Sequence, residues 1–216
     1  MRVVVDCHMV GQPDAGDAGN ARFHTLVTNA LHHTRTSEDH VSALIAHRAA
    51  HDVLDAAVTT LTVPSGNVTR LALRAPQALA RDRADAAVFS YITPLRSPCP
   101  LLVVVHDVSF RLHPEWFSRR VRVLLGALVP RAVRHAARVI TVSQTSKADL
   151  VAALGVDPEA RPRGAARRAD ARLRVGDTGL QERGLQRQLA RGGPGLRSRV
   201  GVELRGGPEA HVRRRR

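Results

Sequence analysis

The chain is 216 residues long and carries 33 Lys and Arg against 19 Asp and Glu, a formal charge of +14. The excess sits at one end: residues 161–216 hold 16 basic and five acidic residues (+11), which leaves 17 and 14 (+3) in residues 1–160. The high overall charge is therefore no guide to the partners of the first part; two cysteines without metal or paired spacing exclude a disulfide framework, and the lack of a long apolar run excludes a membrane-spanning helix.

In chain order, Arg2–Val10 (RVVVDCHMV), closed by Gly11, predicts a buried parallel strand. Gly11, Gly16 and Gly19 then punctuate a loop with Pro13, Asp14 and Asp17. From Asn20 the period changes, and Phe23, Leu26, Val27, Ala30 and Leu31 recur on one helix face. Strand, glycine-rich loop and helix open a βαβ unit. Val41–Ala46 and Leu61–Val63 read as the next strands, and Val68–Arg81 as a weak helix interrupted by Pro76. Ala86–Ile92 and Leu101–Val105 follow as strands. The second is strongly β-branched and runs into His106-Asp107, a polar strand end of the kind where open α/β sheets place chemistry.

Ser118–Ala137 is the clearest helical stretch, with Val121, Leu124, Leu125, Leu128, Val129, Ala132, Val133 and Ala136 on one face. Pro130 is expected to kink or split it, because proline removes an interior backbone bond. Trp116, just ahead, reads as a packing anchor. Val139–Val142 is a strand, Ser143 the N-cap of a final helix buried through Leu150, Val151 and Leu154, and Gly155 its left-handed C-cap. The alternation specifies an α/β fold with a doubly wound, mostly parallel, Rossmann-like sheet over residues 1–158.

Residues 159–216 read differently. From 161 onward Phe, Tyr, Met, Ile, Asn and Lys are all absent, beside an excess of Arg, Gly and Ala. Those are the amino acids whose codons begin with two A/T bases, so the segment reads as GC-rich DNA translated in an unselected frame. A frameshift or assembly break near 158–165 is its expected origin, with a genuine basic extension of disordered composition as the alternative. On either reading it is not expected to fold.

Three segments together resemble the N-terminal domain of two-domain GT-B glycosyltransferases of glycosyltransferase family 4, retaining enzymes of mannosyltransferase type. They are Gly19-Asn-Ala-Arg-Phe23; Val104-Val-His-Asp-Val-Ser-Phe110 with His113-Pro-Glu-Trp116; and Ala137-Arg-Val-Ile-Thr-Val-Ser143 with Ser146-Lys-Ala-Asp-Leu150 and Leu154-Gly-Val-Asp-Pro158. The resemblance covers residues 1–158. It implies sugar transfer from a nucleotide-sugar donor to a carbohydrate or lipid-linked acceptor, with no metal and no separate cofactor. It further implies that the donor-binding basic residues and paired glutamates belong to a second domain with no counterpart here, so the chain alone is expected to be inactive.

The same resemblance places Gly19 and Arg22 in a loop facing the donor diphosphate, where backbone amides at a helix N-terminus donate to phosphate. Ala21 departs from the family's second glycine, and an ordinary turn with a surface arginine is the alternative. His106 is the expected catalytic residue, its imidazole donating or accepting at the transferred sugar; a strand-end histidine satisfied by backbone is the alternative. Asp107, Glu115, Ser143 and Lys147 are assigned to the cleft or acceptor side, with Asp107 orienting its loop, Ser143 capping a helix and Lys147 equally readable as solvated. His32-His33 and His40 lack ligand spacing and read as a solvated helix end. Two other classes stay open: a protein binding anionic surfaces or nucleic acid through its basic tail, and a non-functional gene fragment. The first lacks interleaved aromatics and any nucleic-acid fold, so no specific nucleic acid is expected. With no signal peptide expected before the first strand, the location read from the sequence is cytoplasmic, at most peripheral at the inner face of the membrane.

Overall fold

The computed structural model describes residues 1–12 and 19–156, together with the backbone of two short segments, 174–175 and 202–203. Its elements are β1 (Arg2–Asp6), α1 (Gly19–Thr34), β2 (His40–Ile45), a 3-10 turn (Arg48–Asp52) and β3 (Thr59–Thr62). A continuous helical segment follows: α2 (Asn67–Thr69), a π turn (Arg70–Arg74) and α3 (Ala75–Arg81). Then come β4 (Ala86–Ser90), β5 (Leu101–Val105), α4 (Ser109–Leu112), a 3-10 turn (Pro114–Trp116), α5 (Arg119–His135), β6 (Arg138–Thr141) and α6 (Gln144–Leu154). β7 (Arg174–Val175) and β8 (Val202–Glu203) pair with each other antiparallel. The expectation that residues 159–216 do not fold otherwise lies outside the described residues, as do Pro13, Asp14, Gly16 and Asp17.

Six strands form one wholly parallel sheet in the order β3-β2-β1-β4-β5-β6. β1 lies inside it, pairing Val4 with Ser42 of β2 on one side and with Ala87 of β4 on the other. The valine-rich strands suit this position because a parallel sheet is covered on both faces. Alternation then divides the core. Val3, Val5, Ala43, Val88 and Val104 face α1, through Ala21 and Leu31. Val4, Leu44, Ala87 and Phe89 face α3, through Ala75 and Leu79, while Val103 and Val105 meet Val129, Ala132 and Val133 of α5. The doubly wound α/β architecture expected from the sequence is present.

Local chemistry explains the helix ends. Ser118 caps α5 by accepting from the Val121 N–H, Ser143 caps α6 by accepting from the Ser146 N–H at 3.0 Å, and Gly155 closes α6 at φ +62°. Pro130 does not split α5, which runs unbroken through it. Pro76 does not end its helix either. The π turn just before it widens the spiral, which removes the clash with the carbonyl four residues back that proline otherwise makes.

Three packing expectations are corrected. The buried face of α5 covers only its second half: Val129, Ala132 and Val133 are buried, whereas Val121 and Leu124 are exposed. Trp116 is 67% exposed and stacks on His113 rather than anchoring the core. His32 is buried beside Asp55, where a solvated helix end was expected. Among the described residues no helix is long and apolar enough to cross a membrane.

Candidate functional site

The sheet reverses its winding at β1, whose neighbours β2 and β4 lie on opposite sides. In open α/β sheets such a reversal leaves a crevice beyond the carboxyl ends of the two strands, because the crossovers diverge there. Here the crevice is narrow, about 10 Å³, between the ends of β1 and β4 and the first turn of α1.

Its floor is ionic. Asp6 closes β1 and is almost wholly buried, as is Arg70, which the π turn directs inward. Nη1 of Arg70 pairs with Oδ2 of Asp6, while Nη2 donates to Oδ1 of Asn67 at 2.7 Å. Nδ1 of His8 stands 3.2 Å from the same Asp6 oxygen. Burial pushes the Asp6 carboxyl up, but the His8 hydrogen bond and the charges of His8 and Arg70 outweigh it and hold the group below the usual range. A carboxylate so enclosed stays ionised because its partner is fixed beside it.

One turn into α1, Nε2 of His24 lies 2.5 Å from the Ser90 hydroxyl at the end of β4. Burial depresses its pKa to about 4 against the opposing pull of Asp6, so the ring is neutral at pH 7. This contact ties the helix that begins at Gly19 to the strand across the crevice.

His106 is the first residue beyond β5. The Phe23 ring of α1 meets it edge-on at 4.9 Å and Tyr91 lies tilted at 5.9 Å. Its Nε2 is buried with no hydrogen-bond partner among the described residues. Burial lowers its pKa, with Asp107 pulling the other way, so the imidazole is neutral and keeps an unfilled polar position. Tyr91 holds φ +56°, uncommon for a bulky residue, and is fixed there by its N–H bond to the Val104 carbonyl at 2.9 Å. Its hydroxyl donates to Oδ2 of Asp107 at 3.0 Å, and Oδ1 of Asp107 accepts the Ser109 N–H at 2.8 Å. Asp107 therefore links Tyr91 to the loop after β5.

The remaining expected site residues are dispersed. Gly19 starts α1, is exposed, and has open space where a Cβ would sit. Arg22 is half-buried and adjoins Phe23. Glu115 is exposed, its Oε1 3.4 Å from Nδ1 of His113. Ser143 is a helix cap and Lys147 is exposed. Among the described residues, no hydrogen bond, ion pair or ring contact joins Glu115, Ser143 or Lys147 to His106. The structure thus gathers Phe23, His24, Ser90, Tyr91, His106 and Asp107 at one rim above Asp6 and Arg70. Sequence reading missed Asp6, His8, His24 and Arg70. The polar strand end that singled out His106 also marks Asp6-Cys7-His8, whereas Arg70 reaches the site only through helix packing.

The sequence model of Glycosyltransferase Family 4 matches residues 55–164, just over half of the chain. That span holds β3 to α6, including His106, Asp107, Glu115, Ser143 and Lys147; the Gly19–Phe23 segment precedes it. No curated protein and no solved structure matches the chain. With a parallel sheet wound in the Rossmann order and the matched segment supplying its second half, the chain belongs to Glycosyltransferase Family 4.

Proposed function

We propose that residues 1–158 are the acceptor-side domain of a retaining glycosyltransferase that moves a hexosyl group, of mannosyl type, from a nucleotide-sugar to a carbohydrate or lipid-linked acceptor. The observation that carries this reading is His106: a neutral imidazole at a strand end, held by Phe23 and Tyr91, with a buried nitrogen lacking a partner. A ring so held accepts or donates one hydrogen bond to a sugar hydroxyl without first gaining or losing a proton. Stabilising the departing diphosphate is the larger task in such a transfer, and it calls for fixed donors aimed at the leaving oxygens. In this reading Gly19 and Arg22, at the start of α1, take that role on this side, which is supported by the His24–Ser90 contact that ties their helix to the sheet. Among the described residues, the rings found against His106 are Phe23 and Tyr91 and the adjoining charge is Asp107, none of them basic. In this reading the donor is held chiefly by a second domain, and Glu115, Ser143 and Lys147 flank the acceptor.

The test is a transfer assay with a panel of nucleotide-sugars. The purified 216-residue chain is expected to give no transfer alone, and to give it when a donor-binding domain from a family member is fused after residue 158. His106→Ala in the fusion should lower kcat at least tenfold, with thermal stability unchanged. Robust transfer by the chain alone, or a fusion indifferent to His106→Ala, sinks the proposal.

A further inference from the structure

We infer that the flank of the sheet at β3 carries a second binding site, for a phosphate monoester bearing free hydroxyl groups. A cavity of about 290 Å³ opens there between the end of β3 and one face of α3. This is near the lower bound of small-ligand sites, roughly 300 Å³, and many times the volume of the crevice beside β1. Arg74, Gln77 and Arg81 stand at i, i+3 and i+7 on the helix, so all three present to the same side.

Among the described residues, neither guanidinium makes a hydrogen bond or ion pair and no carboxylate lines the cavity. The nearest acid in sequence, Asp82, is engaged elsewhere, with Ser42 at 3.3 Å and Arg2 at 3.8 Å. Two uncompensated guanidiniums flanking one hollow suit a doubly charged, multidentate oxyanion better than a carboxylate, because each planar fork can take two oxygens.

Gln77 adds the second requirement. Its Oε1 is buried and has no partner among the described residues. A buried amide oxygen left unpaired is costly, and a hydroxyl hydrogen from a ligand would satisfy it. Val63, Pro64 and Ala78 complete the wall as an apolar surface for a carbon skeleton. Inorganic phosphate answers the arginines but leaves the apolar wall of Val63, Pro64 and Ala78 uncovered; a phosphorylated polyol answers the arginines, the Gln77 oxygen and that wall together. The site is independent of the His106 rim, since β3 lies two strands from β1, about 10 Å at the usual strand spacing.

The same headgroup chemistry occurs in soluble sugar phosphates and in phosphoinositide lipids, and one experiment covers both. The full chain is titrated with glucose 6-phosphate and with inorganic phosphate while the amide resonances of Thr62, Val63, Arg74, Ala75 and residues 77–81 are followed. In parallel it is mixed with phosphatidylcholine vesicles with and without phosphatidylinositol 4-phosphate. Saturable shifts confined to those residues with glucose 6-phosphate assign the site to a soluble ester. Vesicle capture that needs the phosphoinositide, without those shifts, assigns it to a lipid headgroup. In either case Arg74→Ala and Arg81→Ala should each weaken binding about tenfold. Gln77→Leu should erase the preference over inorganic phosphate. Because both arginines are exposed, their variants should fold, which circular dichroism checks. Absence of local shifts and of phosphoinositide-dependent capture, or a double-arginine variant that binds as the parent does, overturns the inference.

Discussion

Two glycines separate what composition suggests from what geometry requires. Gly19 opens α1, yet an added Cβ there meets nothing within 4 Å and its φ is not left-handed. Gly11 sits at φ +72°, and a Cβ would fall 2.4 Å from the Ala50 nitrogen. Gly11→Ala should therefore lose at least about 2 kcal/mol, from left-handed strain plus a clash with backbone that cannot swing aside, while Gly19→Ala should stay within about 0.5 kcal/mol. Urea unfolding of the two variants checks this; equal losses would refute it. His24 supports a second prediction. Unfolded, its ring takes a proton near pH 6.5; in its buried place it resists protonation down to about pH 4. The unfolded chain binds more protons between those values, so the stability from neutral burial is complete above pH 6.5 and is lost as pH falls toward 4. The loss is on the order of 3 kcal/mol. His24→Gln, which keeps a partner for Ser90, should flatten the stability profile between pH 6.5 and 5. The strand-end position of His106 was legible because it follows a β-branched run; the place of His24 was not, because it depends on Ser90, 66 residues away.

At the scale of elements, strands and caps were readable and interruptions were not. β5 is found where the sequence places it, and Ser143 and Gly155 cap α6 as expected, because capping depends on neighbours in sequence. Pro76 and Pro130 misled, since proline removes a backbone bond but packing decides whether the helix continues. The π turn before Pro76 also performs a function that no local pattern encodes: it turns Arg70 inward to Asp6. Arg70→Met should destabilise by roughly 3–5 kcal/mol, because it strands a buried carboxylate, and Asp6→Asn in the same chain should restore part of that loss. Urea midpoints of the single and double variants read the coupling. A double variant whose loss equals the sum of the two single losses would mean that the pair is not coupled.

For the whole molecule, composition predicts a division near residue 158, and the family match runs to residue 164. The doubly wound arrangement followed from alternating periods along the chain, but the order of strands did not, since nothing in β1 itself names its neighbours. That order has a consequence for synthesis on the ribosome. β1 emerges before β2, β3 and β4, yet it is complete only when β4 joins its other side, and the Arg2 N–H bonds Asp85, 83 residues later. Until then a valine-rich strand of the nascent chain holds one open edge. Late closure of this kind slows folding and leaves a sticky edge exposed while translation proceeds. Yield in a cell will thus respond to elongation rate and holding chaperones over the codons between β1 and β4.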